Sequence, residues 1–319
     1  MKAFRILIVT FLIWSLSFAV SAAELLIPGG QLIGLELQDN TVTVIAFDEA
    51  ASPAKAAGLK EGDRILSVDS TPVRCVEDIR TALKRSDGQV DISILRGTKT
   101  KQLQVCPSAT ENGPKLGIYL KQGTTGVGTV TYYDPQKGSF AALGHGVNAP
   151  NGSLLQMVDG SIYPARVMSV KKGCIGTPGQ LMGALTEAEP NGKLAKNTSQ
   201  GVFGSVSAMS KAEPLPVADP EEVNTGAATI RSTVDGDTLR EYSVEILKIY
   251  PNHHRQSRNM LLKVTDPTLL ATTGGIVQGM SGSPIIQSGK IVGAVTHVLV
   301  NDPTTGYGIF IENMLDAAS

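Results

Sequence analysis

A serine framed by glycines is the first place where this chain could do chemistry. In GMSGSP (279–284), Ser281 has Gly279 two positions before it and Gly282 directly after it, and Ser283 and Pro284 follow. Glycine lets the backbone turn sharply and lets other groups approach it closely. A nucleophilic serine needs a turn that projects its Oγ, a base that takes its proton, and backbone donors where a carbonyl oxygen becomes an oxyanion. The turn supplies the first and third together if the amides of Gly279 and Ser281 point the same way. A tight turn with no chemistry has the same spacing, so the base has to decide.

Only four histidines are present. His145 ends the strand-like SFAALGHGV (139–147) between Gly144 and Gly146, where a substrate or another backbone can come close. His253 and His254 follow Pro251 and Asn252 and precede Arg255, which reads as a solvated turn. His297 lies inside GAVTHVLV (293–300) and reads as a structural residue of a strand, in the core or near the site. His145 is thus the candidate base, since an imidazole titrates close to neutral pH. Cys174, in KKGCIGTPG, is a rival nucleophile only in principle, because serine occupies the glycine-rich turn.

These residues need a scaffold, and the composition points to β-structure. Of 319 residues, 34 are glycine, and short apolar runs alternate with Gly, Pro, Asn and Asp. This pattern predicts a mainly β protein with many turns. A net charge of −1 gives no global field that would recruit nucleic acid or an acidic membrane. Cys75, Cys106 and Cys174 are too few for a disulfide scaffold, although one Cys75–Cys106 bridge is compatible with the sequence. No Cys/His spacing suits zinc and no glycine-rich loop ends in Lys-Ser/Thr, so neither metal nor cofactor is expected.

At the N-terminus, Lys2 and Arg5 precede the apolar run ILIVTFLIWSLSFAV (6–20), and Ser21, Ala22 and Ala23 follow it. Residues 1–23 therefore read as an export signal or an uncleaved N-terminal anchor, with the rest of the chain translocated.

Residues 24–107 form the first expected domain. LIGLEL, TVTVIAF, RILSV, QVDISILRG and KQLQVC read as strands, and Val76, Ile79 and Leu83 recur at helical spacing. SPAKAAGLKEGDRILSVDSTPV (52–73) resembles a PDZ domain of the bacterial type. The resemblance implies peptide binding by strand addition, with a carboxylate held by the loop Leu32, Ile33, Gly34 and Leu35, and with Val76, Ile79 and Leu83 near the groove. A core role for these three side chains is the alternative. Residues 108–114 read as a linker. The remainder, 115–319, carries short, closely spaced strands that predict a β-barrel or a pair of barrels, closed by a helix in IENMLDAAS.

The tail TGGIVQGMSGSPIIQSGKIVGAVTHVLVNDPTTGYGIFIENML (273–315), with ALGHG (142–146) and LLKVTDPTLLATTGG (261–275), resembles the stage IV sporulation protein B family of serine peptidases. The resemblance extends to the order of parts: membrane signal, PDZ domain, peptidase. It implies a trypsin-like double β-barrel with Ser281 as nucleophile, His145 as general base and Asp266 as the acid that orients it. Asp302 is an alternative acid, and a cap before Pro267 is an alternative role for Asp266. The resemblance also implies an enzyme working between mother cell and forespore. Its substrates would be itself and a membrane protein restraining a sigma-factor-processing intramembrane protease, with self-association through the PDZ domain. Readings from other classes are a non-catalytic exported PDZ adaptor and a spore-envelope assembly protein.

Overall fold

A computed structural model describes residues 24–49, 52–150, 152–251 and 257–319. The expected export signal or anchor at 1–23, and with it His253 and His254, lies outside the described residues. Strands β1 (Leu25–Pro28) and β2 (Leu32–Phe47) open the chain. Helix α1 (Pro53–Ala56), β3 (Arg64–Val68), β4 (Thr71–Pro72), helix α2 (Val76–Arg85), β5 (Val90–Arg96) and β6 (Lys99–Val105) follow. Then come β7 (Ile118–Asp134), β8 (Ser139–Ala142), β9 (Asp159–Lys171), β10 (Gln180–Leu185), β11 (Gly192–Thr198), β12 (Gly201–Val206) and β13 (Leu215–Pro216). The last part holds β14 (Gly226–Asp235), β15 (Thr238–Ile249), β16 (Met260–Val264), helix α3 (Pro267–Thr273), β17 (Pro284–Gln287), β18 (Lys290–Leu299), β19 (Asp302–Phe310) and helix α4 (Ile311–Ala318).

Two six-stranded antiparallel rings result, as the expected double β-barrel requires. In the first, β2, β7, β8, β12, β11 and β9 pair in turn, and β9 pairs back to β2. The second is closed by β14, β15, β16, β19, β18 and β17. Alternation along the strands explains the closure. Tyr242, Val244 and Ile246 of β15 point inward while the residues between them are exposed. Ile33, Leu35, Val130, Phe140 and Ile162 fill the first ring, and Ile230, Val244, Leu262, Val295 and Phe310 the second. Leu26, Tyr132, Phe203, Ala294, Ile309 and Met314 form one further cluster that joins elements of both rings.

The PDZ region grows out of the first ring rather than preceding it. LIGLEL and TVTVIAF fuse into the single strand β2, and KLGIYLK and GVGTVTYYD join in β7. The two strands pair over nearly their whole length, from Leu32↔Thr129 to Phe47↔Ile118, with a register shift between Leu37 and Val42. Gly123 permits this kink: its φ is +70°, and a Cβ there would lie 1.9 Å from the Leu37 carbonyl oxygen. The packing shares β2 between the two expected parts, 24–107 and 115–319. Ile33, Leu35 and Leu37 belong to the peptidase core, whereas Val42, Val44, Ile65, Ile79, Leu83, Val90, Ile92 and Ile94 form the PDZ core. The expected linker is a tight connection, with Ser108 and Lys115 exchanging two backbone hydrogen bonds around it.

Local signals in the PDZ region read as expected. Ser52 caps α1 and Pro53 starts it, and Gly58 follows at φ +96°. The Asp78 carboxylate caps α2, accepting from the amides of Arg74 and Cys75 at 2.8 and 3.0 Å. All three cysteines are free.

Candidate active site

The turn that carries Ser281 is pinned from three sides. The Gly282 amide donates to the Val295 carbonyl of β18 (2.7 Å), the Thr129 amide of β7 donates to the Ser281 carbonyl (3.0 Å), and Gln278 exchanges hydrogen bonds with Gly179 and Leu181. Thr129 also donates its hydroxyl to the Gly279 carbonyl at 2.7 Å. Two glycines make the turn possible. Gly279 and Gly282 have φ of +99° and +97°, and a Cβ on Gly282 would lie 2.0 Å from the Thr129 carbonyl oxygen. Only a residue without a side chain lets the second barrel's turn lie against the first barrel's strand.

His145 is held by the same device from the other barrel. It follows β8 after Leu143 and Gly144, whose φ values are +72° and +67°. A Cβ on Gly144 would press on Thr296 and Ile309 of the second barrel, and one on Gly146 would lie 2.5 Å from the Thr198 carbonyl oxygen. The glycine frame in ALGHG thus allows close approach on both sides of the histidine.

Ser281, His145 and Gly279 line one cleft of about 700 Å³. The other lining residues include Leu35, Val127, Ser199, Ile276, Thr296 and His297, and none of the described lining residues carries a formal charge at neutral pH. In this state Ser281 Oγ donates to the Thr296 carbonyl at 2.8 Å. His145 Nδ1 lies 2.9 Å from the Gly146 carbonyl oxygen. A carbonyl only accepts, so Nδ1 carries the proton and Nε2 keeps a lone pair, the form a base needs. Burial lowers the His145 pKa below the usual histidine value, and the Gly146 carbonyl partly offsets this. The ring is therefore neutral at pH 7. The amides of Gly279 and Ser281 donate no hydrogen bond to any described residue, which leaves them for an incoming oxyanion.

Neither expected acid reaches His145. Asp266 is the N-cap of α3: its Oδ1 accepts from the Leu269 amide at 2.9 Å and its Oδ2 from the Ser243 amide at 3.4 Å. This is the cap before Pro267, a local use that competes with any orienting role. Asp302 accepts from Thr304 and Thr305, at 2.7 and 2.6 Å from their hydroxyls, and these bonds hold its pKa below the ordinary carboxylate value. The β11–β12 turn lies beside the end of β8 and carries Ser199 and Gln200, with no carboxylate. The expected orienting acid is therefore replaced, in this structure, by a backbone carbonyl.

The expected carboxylate loop of the PDZ region is also placed differently. Ile33, Gly34 and Leu35 pair on one side with β7 and on the other with β9, and Leu32 pairs with β7. Their backbone is consumed by the sheet, and Leu185 lies over Gly34, within 2.3 Å of where its Cβ would be. Ile79 and Leu83 are buried in the PDZ core and Val76 packs against it.

Two features escaped the sequence. Asp63, in the Glu61-Gly62-Asp63 turn, is fully buried and forms a bidentate pair with Arg96, 2.7 and 2.6 Å, while accepting from the Lys60 amide. Burial alone pushes its pKa up, but these hydrogen bonds outweigh it and hold the carboxyl below its usual value. His297 stands against the base: its ring centroid is 5.1 Å from that of His145.

Comparison with known proteins finds a peptidase part and a PDZ part in this chain. The family model described as SpoIVB peptidase S55 matches residues 112–315, and that of the PDZ domain matches 30–106. Among curated proteins, the chain is 27% identical to a Rhizobium meliloti protein over 215 residues, 65% of this chain and 52% of that one. It is 24% identical to the metalloprotease MmpA of Caulobacter vibrioides over 56% of this chain and 49% of the relative. It is 32% identical to the regulator of sigma-W protease RasP of Bacillus subtilis over 30% and 21%. The chain thus spans about half the length of the first two of these relatives. Among solved structures, a protease of M. tuberculosis in its active form is 15% identical, covering 60% of this chain and 72% of that one, with a TM-score of 0.36. The PDZ domain of an SdrC-like protein from Listeria monocytogenes is 24% identical over 25% of this chain and 87% of its own, with a TM-score of 0.23.

Proposed function

This chain belongs to the SpoIVB peptidase family and is a PDZ-containing serine endopeptidase, and we propose that it cuts peptide bonds with a Ser281–His145 dyad. One observation carries the reading: a serine from one barrel and a neutral histidine from the other line one cleft beside two free amides. Ser281 Oγ leaves the Thr296 carbonyl, attacks the scissile carbonyl carbon and passes its proton to His145 Nε2. The amides of Gly279 and Ser281 receive the negative oxygen. His145 then gives the proton to the leaving amine, and water repeats the sequence to free the acyl group. Because the Gly146 carbonyl fixes the His145 tautomer, the dyad works without a carboxylate.

The uncharged cleft wall favours substrates bound through backbone and apolar side chains. Residues 1–23, read from the sequence as an export signal or N-terminal anchor, favour action outside the cytoplasmic membrane, and the family resemblance favours the protein itself and a membrane regulator of the sigma-factor-processing protease as substrates, in sporulation. The test is incubation of the chain with a peptide library and with a second, inactive copy of itself. Cleavage by the native chain and none by Ser281→Ala supports the reading. Equal cleavage by both overturns it.

A further inference from the structure

A base with no carboxylate beside it has to stabilise its own imidazolium, and one residue in the cleft is placed to help. His297 lies on β18 directly after Thr296, whose carbonyl holds Ser281 Oγ. Its ring centroid is 5.1 Å from that of His145, with the planes tilted by 38°. Its Nδ1 is buried and has no hydrogen-bond partner among the described residues. Native proteins rarely leave a buried polar atom unpaired, and doing so costs about 1–3 kcal/mol. We propose that His297 is the positioning residue of the base: its free Nδ1 accepts a hydrogen bond from His145 once that ring has taken the Ser281 proton.

The distance suits this role. An imidazole nitrogen sits roughly 1.1 Å from its ring centroid, so two rings joined by an N–H···N bond of ~2.9 Å have centroids about 5 Å apart. At this spacing a ring rotation that brings the two nitrogens onto the line between the centroids closes the contact. The charge state suits it too. His145, Arg258 and Tyr307 are the ionisable groups that face His297. Burial first, then His145 and the Arg258 cation, push the His297 pKa down to about 4. Arg258 itself lies over the Tyr307 ring at 5.1 Å, and Tyr307 pairs with His297 across β18 and β19. A neutral His297 has one lone pair to offer and cannot repel the imidazolium. The proton balance is closed. The Ser281 proton goes to His145 Nε2, the His145 Nδ1–H turns from the Gly146 carbonyl to His297 Nδ1, and His297 keeps its own proton throughout.

This inference rests on the dyad proposed above, and the experiment separates the two. A fluorophosphonate probe reports the reactivity of Ser281 without a known substrate. Labelling saturates, so it yields both a limiting rate and a probe affinity, and it is measured from pH 4 to 9 with a thermal melt for each variant. His297→Phe keeps the ring shape and removes the acceptor; His297→Asn keeps an acceptor oxygen close to where Nδ1 stood. The expected result is a limiting rate about tenfold or more lower in His297→Phe, with unchanged probe affinity. Its acid limb moves to lower pH, because the imidazolium has lost a partner. His297→Asn recovers most of the rate and the position of the limb. If His297→Phe melts, His297→Leu serves as the acceptor-free variant. Equal rates for Phe and Asn variants, or a Phe variant with the native rate, overturn the proposal and leave the dyad standing. A native chain that is not labelled at Ser281 overturns both.

Discussion

Asp266→Asn separates a dyad from a triad. Asp266 Oδ1 caps α3 at the Leu269 amide, and Oδ2 takes a longer bond from the Ser243 amide. Asparagine caps helices as well as aspartate does, so stability should stay within about 0.5 kcal/mol of native. Asp266→Ala removes the cap acceptor and should cost about 1 kcal/mol. For a chain of this size that is a drop of about 1.5 °C in Tm. Both variants should label with fluorophosphonate within about twofold of the native rate, since neither changes the Gly146 carbonyl that holds His145 Nδ1. An acid that oriented the base would behave otherwise: its amide variant would lose about 10⁴ in rate with the fold intact. The assay is labelling rate at pH 7.5 beside a thermal melt, for Asp266→Asn, Asp266→Ala and the control Asp302→Asn. A loss of 10³ or more in Asp266→Asn at native Tm refutes the reasoning. Such a loss in Asp302→Asn alone moves the acid there.

Gly282→Ala should destabilise by about 2 kcal/mol or more and abolish labelling, because its Cβ meets the Thr129 carbonyl oxygen at 2.0 Å and φ is +97°. Gly126→Ala is the control for the melt, with nothing within 4 Å of its Cβ. Asp63→Ala removes the carboxylate that pairs with Arg96 and accepts from the Lys60 amide, and should destabilise the PDZ region, read as faster hydrogen exchange at Ile65 and Ile94. The Asp63 pKa is depressed in the folded state, so its contribution is full above the unfolded value of about 3.9 and is lost as pH falls through the lower folded value. His297 works over a different window. Its folded pKa of about 4 lies below the unfolded value of about 6.5, so stability falls as pH drops from 6.5 to 4, and His297→Phe should reduce that fall.

What the sequence disclosed follows a physical pattern. The turn at Ser281 and the frame of His145 were legible because glycine marks close backbone approach, and both frames meet the other barrel's atoms where the sequence has glycine. The α1 cap, the α2 apolar face and the closing helix were legible because their causes are local. Strand partners are not local. Nothing in LIGLEL says that β7 and β9, far along the chain, consume both of its edges, so a loop for a peptide carboxylate was expected where the sheet is continuous. Asp266 carried its cap signature openly, aspartate before proline before an apolar turn, yet the resemblance to the family argued for catalysis instead. His297 read as a structural strand residue, in the core or near the site, and its contact with His145 was not legible because it depends on how the two barrels dock.

The most direct test of the account is the mass of the chain after fluorophosphonate treatment, with peptide mapping of the adduct. The account predicts one adduct per native chain, mapped to Ser281, none in Ser281→Ala, and a rate in His145→Ala lower by at least about 10³ at unchanged Tm. An adduct on another residue, or a His145→Ala variant that labels at the native rate, contradicts it.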